Sequence, residues 1–433
     1  MLWNEGIRME LLRKTRSVCP VCLQNVPAEL RRTAEGRVLL QKSCPEHGAF
    51  SCAVWQGKAD FGAWSAGSAP LPAGAGETCP AGCGLCPQHE TDTCCVVLEV
   101  TRRCNLRCRY CFADGGAQTP DVPLETLKAA AADIAARCGG PLLQLSGGEP
   151  TLRDDLPELV RAAKAAGCSY VQLNTNGLRL AREPAYAAAL AEAGLDIVFL
   201  QFDGTKNEIY QALRGAALLE EKLEAIRVCA ALGLGVTLVP TVVRGVNDDD
   251  LGALVDLAKS LLPGVRGIHF QPVSFFGRFP AGAENSERYT LDALMWDLSR
   301  QAGIPMEAFL PSRCDHPLCG FHAAFLLEAD GSLQPLSGGA RAPGRCSARE
   351  NREYVARRWR GGPATSPPEE GTSDFDRFLY RVRHESLTLS SMAFQDAENL
   401  NIERLHRCSL HVYDAGRLKP FCAHYLSPIS QAE

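Results

Sequence analysis

Cys104-Asn-Leu-Arg-Cys108-Arg-Tyr-Cys111 sets three cysteines in a C-x3-C-x2-C spacing. So short a spacing brings three thiolates into one small loop. Four cysteines close a four-iron cluster, whereas three leave one iron without a protein ligand and free to bind a substrate group. The same i, i+4, i+7 pattern is also a buried helical stripe, and cysteine is a commonly buried residue. The residues downstream decide between the two.

From Val96 onward, short apolar runs alternate with Ala/Leu-rich segments. Strands are predicted at Val96–Thr101, Leu142–Ser146, Tyr170–Thr175, Asp196–Phe202, Val236–Val243 and Gly267–Val273. Helices are predicted over about 123–138, 155–166, 184–193, 207–232, 249–262 and 290–302. Six strand–helix alternations imply parallel strands joined by right-handed crossovers, in an α/β barrel or an open sheet. In either form ligands sit at the carboxyl ends of the strands. The polar residues collect there. The cysteine loop follows the first strand and Gly147-Gly148-Glu149-Pro150 the second; Asn174-Thr-Asn-Gly177 ends the third. Gln201 and Asp203 end the fourth, Thr241 and Arg244 the fifth, and Gln271 the sixth.

The whole chain bounds the reading. Its 433 residues allow one large domain and one or two small ones. A net charge of −5 gives no basic footprint for nucleic acid. No run of about 18 apolar residues suggests a membrane span, and the mixed-charge start (Glu5, Arg8, Glu10, Arg13, Lys14) lacks a signal-peptide apolar region. The expected location is the cytoplasm. In a reducing compartment, 20 cysteines point to metal ligation rather than disulfides. Cys138, Cys168 and Cys229 stand singly in helical or strand-flanking patterns and read as ordinary packed residues.

Residues 1–56 read as a zinc-ribbon or rubredoxin-like metal domain. Cys19-Pro-Val-Cys22 and Cys44-Pro-Glu-His47 flank a hairpin turning at Glu35-Gly36. Cys19, Cys22 and Cys44 are candidate ligands for zinc or mononuclear iron, with His47 or Cys52 as the fourth. So small a segment has little core of its own, so a metal would help it fold. Residues 57–95 form a linker and a second cysteine group. Cys79, Cys83 and Cys86 repeat the C-x3-C-x2-C spacing, and Cys94 is a nearby fourth thiol. Four thiolates would close an auxiliary cluster; a second zinc knuckle is the other reading. Residues 96–305 hold the strand–helix core, and 306–433 a C-terminal region. Within that region, segment 337–375 reads as a mobile insertion containing Cys346, to which no role is assigned, and residues 390–407 read as a helix. His316 reads as a turn residue.

Cys104, Cys108, Tyr110 and Cys111 match the C-x3-C-x-aromatic-C loop of the radical SAM superfamily, and Gly147–Pro150 its glycine-rich GGEP motif. On these residues the chain resembles that superfamily. The resemblance implies a partial (β/α)6 TIM-type barrel. It implies a [4Fe–4S] cluster on Cys104, Cys108 and Cys111 whose open iron holds S-adenosylmethionine. Gly147 and Gly148 would approach the methionine amino group, with Glu149 nearby, and Tyr110 would lie against the adenine. Gln201, Asp203, Thr241 and Arg244 would be candidates for the ribose and carboxylate. One-electron reduction would cleave the sulfonium to a 5′-deoxyadenosyl radical that abstracts hydrogen from carbon.

The likeness extends outside the core. The run from Cys19 to His89, Cys314-Asp-His-Pro-Leu-Cys319, Ser390-Ser-Met-Ala-Phe-Gln-Asp396-Ala, Glu403-Arg404 through Cys408, and Pro420-Phe-Cys422-Ala are similar to the branch holding tetraether lipid synthase and the archaeal pterin-methylating enzymes. TrsS-type radical SAM (seleno)proteins share this layout. The branch implies a second auxiliary [4Fe–4S] site on Cys314, Cys319, Cys408 and Cys422. It implies methylation or C–C bond formation on unactivated carbon of a small-molecule, lipid or peptide substrate. The electron donor would be of the flavodoxin or ferredoxin kind. A peptide maturase is a second reading, opposed by the lack of a dense C-x2-C-x5-C-x3-C pattern and of a leader-binding domain. Residues 1–95 are too short and cysteine-rich for a cobalamin domain. A non-catalytic electron carrier has no need of an open iron.

Overall fold

The computed structural model describes residues 9–68, 70–71, 74–116, 120–283, 287–312, 314–336, 346–361 and 373–429. The amino-terminal segment is an antiparallel meander of β1 (Glu10–Val18), β2 (Asn25–Arg32), β3 (Val38–Cys44) and β4 (Gly48–Trp55). Its hairpin turns at Gly36, whose φ of 82° suits glycine. The ribbon buries Leu30, Val38, Leu40 and Trp55 against the main body.

The main body is built on six parallel strands lying side by side in chain order. These are β5 (Cys95–Thr101), β6 (Leu142–Gly147), β7 (Tyr170–Thr175), β8 (Ile197–Gln201), β9 (Gly235–Val239) and β11 (Val265–Pro272), with the short β10 (Thr241–Val242) paired to β11. Each has a helical crossover before the next. Five have almost wholly buried residues, as a sheet covered on both faces requires. β5 and β11 do not pair with each other, so the barrel is partial. Pro240, which lacks an N–H, divides the fifth expected strand into β9 and β10. The helix expected over 207–232 is two helices, Asn207–Arg214 and Leu219–Ala231, parted at Gly215 with φ 82°.

The C-terminal region extends the sheet at both edges. β12 (Leu310–Pro311), β13 (Phe321–Leu327), β14 (Leu333–Pro335) and β15 (Ser386–Ser391) add beyond β11, with β15 parallel to it. β16 (Leu410–Asp414) lies parallel to β5, followed by β17 (Arg417–Pro420). Residues 392–409 therefore cross from one edge of the open barrel to the other. The helix expected over 390–407 is absent: Ser386-Leu-Thr-Leu-Ser-Ser391 is a fully buried strand, and only Ile402–His406 is helical. The ribbon rests on this crossover. Arg13 pairs with Glu403 at 3.0 Å, Thr15 donates to Asn401 at 2.8 Å, and Lys42 donates to the Ala397 carbonyl at 2.7 Å.

Of the expected insertion, residues 337–345 and 362–372 lie outside the described residues. Residues 346–361 are not an excursion from the core. They carry the helix Ala348–Trp359, opened by a Ser347/Glu350 capping box. Its Trp359 packs on Phe199 and His269, with ring centroids 5.3 and 5.7 Å apart. Residues 360–361 come close enough to β9 that a Cβ on Gly235 would lie 2.2 Å from the Trp359 carbonyl oxygen. The helix closes the end of the barrel opposite the strands' carboxyl ends.

Candidate active site and metal centres

The loop 104–111 leaves the carboxyl end of β5 and is laced to the glycine turn after β6. Gly148 N–H donates to the Thr101 carbonyl and Glu149 N–H to that of Arg103, both at 2.8 Å. The approach leaves no room for side chains: a Cβ on Gly147 or Gly148 would lie 2.2 Å from those same two oxygens. Gly147 also has φ 124°. On the far side, Cys111 exchanges two 3.0 Å backbone hydrogen bonds with Arg278, whose Nε donates to the Cys108 carbonyl at 3.0 Å. The three thiols stand close enough to raise one another. Burial, then the nearby charges, push Cys104 up to about 11, and burial chiefly raises Cys111. Tyr110 is buried among Ile209, Leu213, Val243 and Phe275, and its hydroxyl has no hydrogen-bond partner.

Glu149 is committed to the protein. One carboxylate oxygen takes Thr151 Oγ1 and Thr175 Oγ1, each at 2.6 Å, and the other takes Asn176 N–H at 2.7 Å. It pins the glycine turn to the end of β7. Asp203 is likewise occupied. It receives Arg214 through Nε at 2.7 Å and Nη2 at 2.6 Å, with Thr241 N–H at 3.1 Å and Gln201 Nε2 close by. Arg214 also reaches the Cys108 thiol and is held charged chiefly by Asp203 against the effect of burial. Lys222, fully buried, donates to the Asn176 carbonyl at 2.5 Å and to Gln201 at 3.0 Å; burial lowers it to about 8. Arg214 and Lys222 were not singled out by sequence. Each sits on a helix after a strand-end turn, where a basic residue is ordinary, and no local signal marks it. Arg244 is exposed, 5.7 Å from the Tyr289 ring.

Inside the barrel, below the loop, is a cavity of about 130 Å³ bordered by Phe112, the residue after Cys111. Gln144, Gln172, Asn174 and Gln271 line it from three strands, with Phe199 and Trp359 opposite. Gln172 Nε2 donates to Gln144 Oε1 at 2.9 Å, while Gln172 Oε1 is buried without a partner. A second lobe of about 120 Å³ shares His269, Asp315 and Trp359. Two further unpartnered polar atoms, Ser391 Oγ and Arg358 Nη1, belong to residues lining it. Burial lowers His269 to about 3 and raises Asp315.

Most of the remaining cysteines gather in four places. In the ribbon, the ligand atoms of Cys19, Cys22, Cys44 and His47 all lie within 4.8 Å of one another. His47 Nδ1 is 3.7 Å from Cys19 Sγ and 3.6 Å from Cys44 Sγ, a contact that lowers the Cys44 thiol. Cys52 is buried away from them, pushed up to about 11. In the second group, Cys79 and Cys83 are hydrogen-bonded, Cys79 is 3.6 Å from His406 Nε2, and Cys83 feels the charges of Cys86 and Cys408. Cys94 is not with them; it packs with Cys314 and Cys346. Cys94 directly precedes β5, and its N–H donates to the Ser409 carbonyl at 2.8 Å. Cys408 comes instead through His89, whose Nε2 lies 2.7 Å from the Cys408 carbonyl oxygen. Cys319, Cys408 and Cys422 form the fourth neighbourhood, each raised first by burial; Cys408 and Cys422 also feel neighbouring thiols. Arg404 Nε donates to Cys319 Sγ at 3.4 Å. Cys314 stands apart from this set, hydrogen-bonded to Cys346. His316 is a turn residue as expected, its Nδ1 accepting the Leu318 N–H at 3.1 Å.

The sequence pattern of the radical SAM superfamily matches residues 98–258, and that of the HMPTM N-terminal zinc ribbon domain residues 11–56. The 7,8-dihydro-6-hydroxymethylpterin dimethyltransferase of Methanocaldococcus jannaschii is 31% identical, over 95% of this chain and 93% of its own. The chain belongs to the radical SAM superfamily. A GTP 3′,8-cyclase of Limosilactobacillus fermentum is 32% identical over 48% of the radical SAM chain and 62% of its own. The solved structure of native anSMEcpe with bound AdoMet covers 48% of the chain at 18% identity, with a TM-score of 0.39.

The residues present fit what a radical SAM enzyme carries. Three thiols on one loop that feel one another's charge suit a cluster with an open iron. The ribbon's three thiols and one imidazole suit a tetrahedral metal of the zinc type. Among the described residues, no helix is long and apolar enough to cross a membrane.

Proposed function

We propose that this radical SAM enzyme methylates, or forms a C–C bond at, an unactivated carbon of a flat nitrogen heterocycle of the pterin kind. The cavity lining carries this reading. Four carboxamides, each offering a donor and an acceptor, match the alternating N–H and C=O edge of a lactam ring, while Phe199 and Trp359 offer flat apolar faces. An unfunctionalised alkyl chain would leave the orphaned Gln172 Oε1 unpaired, at about 1–3 kcal/mol. The pterin substrate in the name of the Methanocaldococcus relative agrees with the same chemistry.

Cys104, Cys108 and Cys111 would hold a [4Fe–4S] cluster, which would supply the electron for cleaving S-adenosylmethionine to methionine and a 5′-deoxyadenosyl radical. The chain's own residues position and shield. The bare glycines at 147 and 148 let a ligand's amino group approach backbone carbonyls. Tyr110 donates its free hydroxyl, and Phe112 stands between loop and cavity. Glu149 and Asp203 hold the strand ends, and the Arg214 and Lys222 cations face the Cys108 thiol. Auxiliary sites are proposed on Cys79, Cys83, Cys86 and Cys408, and on the group of Cys94, Cys314 and Cys346, with Cys319 and Cys422 beside Cys408. Reduced, reconstituted protein given S-adenosylmethionine is expected to release 5′-deoxyadenosine faster when 6-hydroxymethyl-7,8-dihydropterin is added. Release of 5′-deoxyadenosine that no pterin stimulates would refute the substrate.

A further inference from the structure

Cys86 alone of the chain's 20 cysteines is exposed. It belongs to the group of Cys79, Cys83 and Cys408, so that group reaches the surface through an exposed thiol. Beside it opens a cleft of about 620 Å³ lined by Cys86 and His89 on one side and by Arg137, Arg349, Arg352 and Arg417 on the other. One carboxylate, Asp92, lines it with them. Asp133 and Glu353 stand behind, paired with Arg137 at 2.9 Å and Arg349 at 3.2 Å. Arg352 is buried and donates to the carbonyls of Thr93, Cys138 and Gly139, not to a carboxylate. Arg417 is exposed, its stem 3.9 Å from where a Cβ on Gly84 would stand. On a chain of net charge −5, this is a cationic rim around its most accessible cysteine.

We propose that this cleft is the docking surface for an acidic one-electron carrier protein. The inference rests on the reading that Cys79, Cys83, Cys86 and Cys408 hold an auxiliary cluster. The site needs an electron from outside, and the group nearest solvent is where one would enter. One electron leaves the reduced carrier and the cysteine-held centre takes it up; no bond is made or broken. The route inward is short. Cys408 feels the charges of Cys319 and Cys422. Phe421, next to Cys422 in the chain, packs on Phe112 at 5.5 Å, and Phe112 follows Cys111. Low-potential carriers of the flavodoxin kind present a carboxylate-rich face. Arginines suit such a face because each can bind a carboxylate with two donors. Steering of this kind raises the encounter rate and falls with salt.

The test uses full-length reconstituted protein and a purified acidic flavodoxin, with Kd measured at low and high ionic strength. Wild type is expected to bind, more weakly as salt rises. Arg137→Glu/Arg349→Glu/Arg417→Glu is expected to weaken binding at least tenfold and flatten the salt dependence, at unchanged iron content. Arg417→Glu alone, at an exposed side chain, is expected to weaken it severalfold if the triple variant folds poorly. Affinity unaltered by either variant, or independent of salt in the wild type, overturns the docking surface. Failure of the cluster reading would show separately, as an iron content left unchanged by Cys79→Ala/Cys83→Ala/Cys86→Ala.

Discussion

At Tyr110 a single atom separates a structural from a functional role. Its hydroxyl is buried and bonded to nothing. A buried orphan costs about 1–3 kcal/mol, so Tyr110→Phe is expected to leave stability equal or higher. The same change should weaken S-adenosylmethionine binding about fivefold, the worth of one hydrogen bond. Calorimetric titration and urea unfolding on one preparation would check both. Arg214 behaves oppositely. Removing it leaves Asp203 charged and buried, so Arg214→Ala is expected to cost about 3–5 kcal/mol. The buried His269 gives a pH signature. Its folded value near 3 lies below the ordinary 6.5, so the unfolded chain binds more protons between them and stability falls as pH drops through that window. Wild type should lose about 1.4 kcal/mol per pH unit through His269, and His269→Gln should remove that share of the slope. Motif residues were legible in the sequence because spacing alone identifies them. Arg214 was not, since what makes it part of the site is the long-range meeting with Asp203 and Cys108.

Among elements, the six parallel strands were legible because each alternates with a helix and is buried on both faces. β15 and β16 were not. Ser386–Ser391 is short and hydroxyl-rich, and what makes it a strand is the exposed edge of β11 beside it, a tertiary fact. The helix Ala348–Trp359 was hidden by the Gly- and Pro-rich sequence on either side, although Ser347 and Glu350 carry a capping-box signal. Trp359→Ala is expected to cost about 3–5 kcal/mol and to undock this helix from Phe199 and His269. Hydrogen exchange over residues 348–359 would report it; unchanged protection would argue against the helix as the floor of the cavity. The glycine turn predicts its own sensitivity. Gly148→Ala drives a methyl into the Arg103 carbonyl, and binding of S-adenosylmethionine should fall more than tenfold.

Over the whole molecule, the ribbon, crossover and barrel form one stack. The ribbon touches residues 397–403, and those residues bridge the barrel's two edges. Sequence left His47 and Cys52 open as fourth ligand; the fold brings His47 to the three thiols and turns Cys52 into the core. His47→Ala is therefore expected to lose one metal per chain and lower the melting temperature, whereas Cys52→Ala should keep the metal. The grouping of the other cysteines could not be read from spacing, because Cys408 arrives from over 300 residues away in the chain to join Cys83, and Cys94 leaves its sequence neighbours. All of these parts serve the loop at 104–111. Liquid chromatography of 5′-deoxyadenosine from reduced, reconstituted protein with S-adenosylmethionine tests that directly. Wild type should produce it, and Cys104→Ala/Cys108→Ala/Cys111→Ala should produce none while retaining iron elsewhere. Continued 5′-deoxyadenosine release by the triple variant would contradict the assignment.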